Sequence, residues 1–171
     1  ESYTSNYYDG EILSSQATDP EYVSTEGFMD VAINLGQSRN KVISTPNRYA
    51  AGPYIEFDFK VAGASNWAGL NNGDHHLRVS LGNYSFDKIF EGYQLIHLDT
   101  TLSTSEINDG NNIVRIQSID DLSNQQGRVD RMALAYLRIT YPHDLNLSAA
   151  NYEEFWIDDS QSQQAQYLEI D

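Results

Sequence analysis

The chain has no cysteine among its 171 residues. That excludes disulfides, thiolate metal ligands and a cysteine nucleophile within this stretch. Basic residues are scarce, 10 Lys and Arg against 25 Asp and Glu, for a net charge of −15. A phosphate backbone or an anionic membrane surface would be repelled, so nucleic acid is excluded as a partner; calcium, cationic partners or plain solubility suit the charge better. No apolar run approaches the roughly 20 residues of a membrane-spanning helix, and membrane insertion is not expected. The start, Glu1-Ser2-Tyr3-Thr4, has no basic head followed by an apolar block, and reads as a processed end or an excised fragment. Also missing are Gly-x-Ser-x-Gly, P-loop and dinucleotide motifs, EF-hand spacing and any His-x-x-x-His pair. These absences leave no marked catalytic constellation, and no enzyme activity is expected.

What is present is β-pattern. Ile55, Phe57, Phe59 and Val61 alternate with Tyr54, Glu56, Asp58 and Lys60, one set facing a core and the other water. Leu77, Val79 and Leu81 alternate with His76, Arg78 and Ser80, and Gly82-Asn83 then forms a hairpin turn into Tyr84 and Phe86. Further strands are expected over Phe28–Leu35, Tyr93–Leu102 and Ile113–Ile119, with a single helical turn at Ser103-Thr104-Ser105-Glu106. Gly36 to Gly52, polar and broken by Pro46, reads as a long loop. The longest apolar stretch lies between Gly127 and Pro142. Met132 to Leu137 is almost continuously apolar; Leu137, Ile139 and Tyr141 then alternate with Arg138 and Thr140. Met132-Ala133-Leu134-Ala135 has helix propensity, but the β-branched and aromatic finish before Pro142 favours a strand. Asn151–Ile157 and Ala165–Ile170 read as two more strands, which either close the sandwich or begin a following module. The sum is one all-β domain over residues 1–171, a two-sheet antiparallel β-sandwich of jelly-roll, carbohydrate-binding-module-like type.

Candidate sites are few. Sugar binding needs an exposed aromatic face beside polar groups. Trp67, in a Gly/Asn loop, is one such aromatic, with a plug at the sandwich edge as its alternative role. The polar side of the strand at Tyr54, Glu56 and Asp58 is another platform. No cofactor is required, and calcium is the one metal that suits the hard oxygen donors available. Glu26 and Asp130 are its candidate ligands, one early and one late in the chain; alternatively Asp130 pairs with Arg128 or Arg131 or caps a turn. His75 and His76 are adjacent, so on a strand they point to opposite faces and cannot readily share one metal.

The run Asp130-Arg131-Met132-Ala133-Leu134-Ala135-Tyr136-Leu137-Arg138-Ile139-Thr140-Tyr141-Pro142 resembles a motif of one family. That motif lies in the β-sandwich domain ahead of the gingipain-type cysteine peptidase domain in type IX secretion sortase (PorU-like) and related surface proteins. His143 departs from the Arg common there after the Pro. Weaker likenesses are Glu26-Gly27-Phe28-Met29 and the stretch from His76 to Asn83. The resemblance implies a non-catalytic accessory domain of a secreted or outer-membrane cell-surface protein, with adjacent domains of the same polypeptide as its partners. A carbohydrate-binding module, with a glycan as partner, is the alternative, and an adhesive surface domain a third.

Overall fold

The computed structural model describes residues 6–8, 27–67, 73–122 and 127–144. Two short strands, β1 (Asn6–Tyr8) and β2 (Gly27–Met29), pair antiparallel. Eight more strands follow: β3 (Ile33–Asn34), β4 (Ser38–Thr45), β5 (Ile55–Gly63), β6 (His75–Leu81), β7 (Tyr84–Phe90), β8 (Leu95–Leu102), β9 (Gly110–Ser118) and β10 (Arg131–Thr140). They form two four-stranded antiparallel sheets, ordered β3-β10-β5-β8 and β4-β9-β6-β7. Along the chain, the first of these eight strands pairs the last, the second the seventh, the third the sixth and the fourth the fifth, and the pairs fall alternately in the two sheets. That nesting is what a long antiparallel ribbon gives when it rolls up, and it makes the fold a jelly-roll sandwich.

The alternation read from the sequence sets which side chains meet between the sheets. Ile55, Phe57, Phe59 and Val61 are fully buried, and across from them lie Leu77, Val79, Leu81, Val114 and Ile116. Phe57 and Phe59 are 5.4 Å apart between ring centres, and each meets a second ring edge-on, Tyr84 at 6.2 Å and Phe86 at 5.6 Å. The Leu81–Tyr84 pairing closes the Gly82-Asn83 hairpin; Gly82 takes φ +56°, a conformation suited to glycine. Ser103 caps a 3-10 turn at Thr104–Glu106 by accepting from the Ser105 amide. Glu106 does not complete a reciprocal capping box. Its carboxylate instead accepts from the Asn83 and Tyr84 amides at 2.6 and 3.1 Å, tying the turn to the hairpin.

The Gly127–Pro142 stretch yields a strand, not a helix. Its apolar start is covered on both sides. Met132 and Leu134 enter the core, while Ala133 lies under Met29 beside Ala62. A bulge at Ala135 then shifts the pairing with β5, from Leu134↔Val61 to Tyr136↔Lys60. One extra residue reverses the parity of a pleated strand. The core face passes from Met132 and Leu134 to Leu137, Ile139 and Tyr141, and Tyr136, Arg138 and Thr140 turn outward.

Two expectations are corrected. Residues 36–52 are not one long loop, because Ser38–Thr45 is an eight-residue strand at the edge of its sheet. Its alternation is hidden, since Arg39 and Lys41 occupy inward positions. Long stems cover apolar surface while the charged ends reach the Ala32 carbonyl and Asp30. Phe28–Leu35 is not continuous either: β2 stops at Met29 and β3 resumes at Ile33. The strands expected over Asn151–Ile157 and Ala165–Ile170 lie outside the described residues, as does Glu26.

Candidate functional site

Two polar clusters stand out. One is buried where β6, β9 and the start of β10 meet. His75 shares the inward parity of Leu77 and Val79, and Asp130 that of Met132, so the β-pattern drives both into the interior. His75 Nδ1 donates to Asp130 Oδ1 at 2.5 Å, and Ser118 Oγ donates to Asp130 Oδ2 at 2.7 Å. The other ring nitrogen, Nε2, faces the carbonyls of Ser65 and Gly92 at 3.0 and 2.9 Å. Only acceptors meet the ring, so both nitrogens carry protons and His75 is an imidazolium. Burial works to lower its pKa, but the hydrogen bond and charge of Asp130, the charge of Asp74 and the Ser65 carbonyl together raise it. The ring also stacks on Phe90 at 4.6 Å. Gly63 makes room for this arrangement, because a methyl group there would overlap the Gly92 carbonyl oxygen.

Asp74 anchors the surrounding loops, accepting from the Trp67 and Gly92 amides, each at 2.7 Å. Arg128 is buried beside the cluster, its guanidinium 3.7 Å from Asp120 and 4.0 Å from Asp130. Two cations thus sit among two buried carboxylates, Asp74 and Asp130, which offset them in the interior. Although Ser, His and Asp are all present, the carboxylate stands between the hydroxyl and the ring. Ser118 bonds the Asp130 carboxylate and not the imidazole, and His75 and Ser118 are wholly buried, out of reach of a substrate. The cluster holds the two sheets together and cannot activate a nucleophile.

The second cluster lies on the outer face of the sheet β3-β10-β5-β8. Beyond the apolar end at Ala62 and Ala133, pairing across β8, β5 and β10 sets out three rows: His97, Lys60, Tyr136; Asp99, Asp58, Arg138; Thr101, Glu56, Thr140. Asp58 is the centre. Its Oδ1 accepts from His97 Nε2 and from the Tyr136 hydroxyl, each at 2.9 Å, and its Oδ2 accepts from Arg138 at 2.7 Å. Burial alone would raise the Asp58 pKa, but the bonds from Tyr136 and His97 and the charge of Arg138 outweigh it, and the carboxyl titrates below its ordinary value. Burial, followed by the hydrogen bond and charge of Asp58, holds the Tyr136 hydroxyl above its usual range against the opposing charge of Arg138. Lys60 Nζ lies 5.3 Å from the centre of the Tyr136 ring. Glu56, Asp58, Asp99, Thr100, Thr101 and Arg138 line a shallow recess of about 500 Å³ here.

The expected site residues are therefore dispersed. Tyr54 and Glu56 are solvent-exposed, as the alternation requires. Asp58 does face outward, yet it is only 4% exposed, because side chains of neighbouring strands close over it. Trp67 follows β5 and Tyr54 precedes it; nine residues at roughly 3.3 Å each put them about 30 Å apart, so they do not form one site. Trp67 is half-buried, closer to a plug than to an open platform. Both oxygens of Asp130 are engaged within the protein, as in the alternative role of a structural partner: Arg128 pairs with it at 4.0 Å, and His75 and Ser118 hold it by hydrogen bonds. Among the described residues no group of three or more His, Asp or Glu is placed to hold a metal. Sequence reasoning missed His97, Tyr136 and Arg138 as neighbours of Asp58; the β5–β8 pairing brings His97 there, and the register after the bulge brings Tyr136 and Arg138.

No family model matches the chain, and no curated protein does. Among solved structures, a ruminal GH26 endo-β-1,4-mannanase is similar at 13% identity with a TM-score of 0.32. The match covers 78% of this chain and 26% of that one, so the chain spans about a quarter of the solved protein's length. A likeness of this size carries no argument about activity.

Proposed function

We propose that the chain is a non-catalytic accessory β-sandwich of a secreted or cell-surface protein. In this reading it is of the kind that precedes the peptidase domain in gingipain-like, type IX secretion sortase-like chains, and it works by packing against or positioning that domain. One observation carries the reading: the residues of the family-like run that the structure ties down serve the fold or its surface frame. Asp130 fixes His75 and Ser118; Met132, Leu134, Leu137 and Ile139 fill the core. Ala133 is small under Met29, Ala135 is the bulge, and Tyr136 and Arg138 hold Asp58. Tyr141 donates to the Pro46 carbonyl at 3.1 Å, and the Pro142 carbonyl accepts from the Tyr49 amide at 2.9 Å. A motif spent in this way marks a type of domain and not a reactive centre, and the job assigned to the domain follows from the resemblance.

The test is made in the parent polypeptide. Excision of residues 1–171 should lower the melting temperature or the secreted yield of the domain that follows, and that domain should be a Cys/His peptidase. A following domain of another class, or one indifferent to the excision, would refute the proposal.

A further inference from the structure

We propose that the outer face of the sheet β3-β10-β5-β8 binds a neutral oligosaccharide, with Glu56, Asp99, Thr101, Arg138 and Tyr136 as the contact residues. The inference stands apart from the accessory role, since packing against a neighbour needs no such site.

Three features of the face point to it. The first is preorganisation. Asp58 is almost wholly withdrawn from solvent on a face that otherwise meets water, and it holds three side chains in place. Arg138 and Tyr136 would otherwise sample many rotamers, and a ligand would have to freeze them. Because Asp58 titrates below the ordinary carboxyl value, the frame persists into mild acid.

The second is unused hydrogen-bonding capacity. Asp99, opposite Asp58 on β8, and Glu56, two residues along β5, have no hydrogen bond or ion pair among the described residues. Each ionised carboxylate can accept from two adjacent hydroxyls. Arg138 spends one Nη on Asp58 while its side chain stays 69% exposed, leaving donors for a ring or hydroxyl oxygen. Thr101 can do either. Acceptors and donors thus alternate across a recess of about 500 Å³, which is within the range of small-ligand sites.

The third is the aromatic beside it. The Tyr136 hydroxyl is anchored on Asp58, so the ring reaches from β10 across the sheet toward β5. An aromatic next to fixed polar groups suits the mixed apolar and hydroxylated surface of a sugar. Net charge selects among ligands. A polyanion would meet three carboxylates on a chain of net charge −15, whereas a neutral polyol meets no such penalty.

The other face shows the contrast. On β6 and β7 the outward charges cancel locally: Arg78 pairs with Asp87 at 2.8 Å, and His76 lies between Asp87 and Asp121. Both carboxylates there, Asp87 and Asp121, already face a basic side chain, unlike Glu56 and Asp99.

The test uses the intact chain and a panel of soluble oligosaccharides, cellohexaose, mannohexaose and xylohexaose, measured by titration calorimetry. At least one should bind. Its affinity should fall at least tenfold in the double variant Glu56→Gln, Asp99→Asn, equivalent to about 1.4 kcal/mol. The melting temperature should not change, because neither side chain supports the fold, and binding should be insensitive to salt. Failure of every member of the panel would overturn the proposal. So would binding that survives the double variant, which would put the sugar elsewhere. Salt-sensitive capture of an oligolysine peptide in place of sugar would also overturn it and make the face an acidic docking patch.

Discussion

The replacement Asp130→Asn probes the interior most sharply. It keeps the shape of the side chain and removes the charge that faces the His75 imidazolium at 2.5 Å, with Ser118 at 2.7 Å on the other oxygen. Breaking one side of a buried ion pair costs about 3–5 kcal/mol. Counting two hydrogen bonds to a charged group at about 1.5–3 kcal/mol each gives a similar sum. For a domain of this size each kcal/mol lowers the melting temperature by about 2–4 °C, so the variant should melt about 6–20 °C below the parent. The pH dependence adds a second check. His75 has a raised pKa in the folded state, so its contribution is fully present below the unfolded value near 6.5 and is lost as pH rises through the raised value. Asp130 is the main source of that rise, and the gap between parent and variant should be widest in mild acid and shrink in alkali. Thermal melts followed by circular dichroism across this range measure both. A loss below about 1 kcal/mol, typical of a surface change, or a gap that widens with pH, would refute the buried imidazolium–carboxylate pair.

Other outcomes follow from the same packing. Phe57→Ala empties a fully buried site and should cost about 3–5 kcal/mol, while Glu56→Ala, one residue away on the wet face, should stay within about 0.5 kcal/mol; comparable losses would put the β5 register in error. Gly63→Ala would drive a methyl into the Gly92 carbonyl, which also accepts from His75; its melting temperature should fall more than that of a Gly→Ala change at Gly127, where the space is open and only the left-handed φ of +81° is penalised. Because the protein itself satisfies both oxygens of Asp130, adding calcium should leave the melting temperature unchanged, and a rise would show that a calcium site exists after all.

How far the sequence reached can be traced strand by strand. β5 and β6 were legible because each has one wet and one dry face, and alternation reports that arrangement directly. The start of β10 was legible as a strand covered on both sides, with its Pro stop. β4 was not legible: as an edge strand it presents Arg39 and Lys41 toward the interior by their stems, and Val42, 64% exposed, on the outside, so polarity no longer tracks direction. The buried cluster left a trace that hydropathy overlooks. His75 and Asp130 each stand two residues before a core side chain, which in a strand puts them on the same face. The outer-face site was half visible. Glu56 and Asp58 come from a single alternating strand, but the partners of Asp58 arrive through pairings 39 to 80 residues distant, His97 by the β5–β8 register and Tyr136 and Arg138 by a β10 register set by one extra residue at Ala135.

That extra residue decides which β10 side chains join the polar face, and the absence of native cysteine allows a direct test of it. Glu56 and Thr140 are opposite each other and both exposed. The double variant Glu56→Cys, Thr140→Cys should oxidise to an intramolecular disulfide, read as the disappearance of free thiol with the mass of a monomer. The companion Glu56→Cys, Ile139→Cys, which a bulge-free register would favour, should keep both thiols. Crosslinking of the second pair and not the first would contradict the register on which the core and the outer face depend.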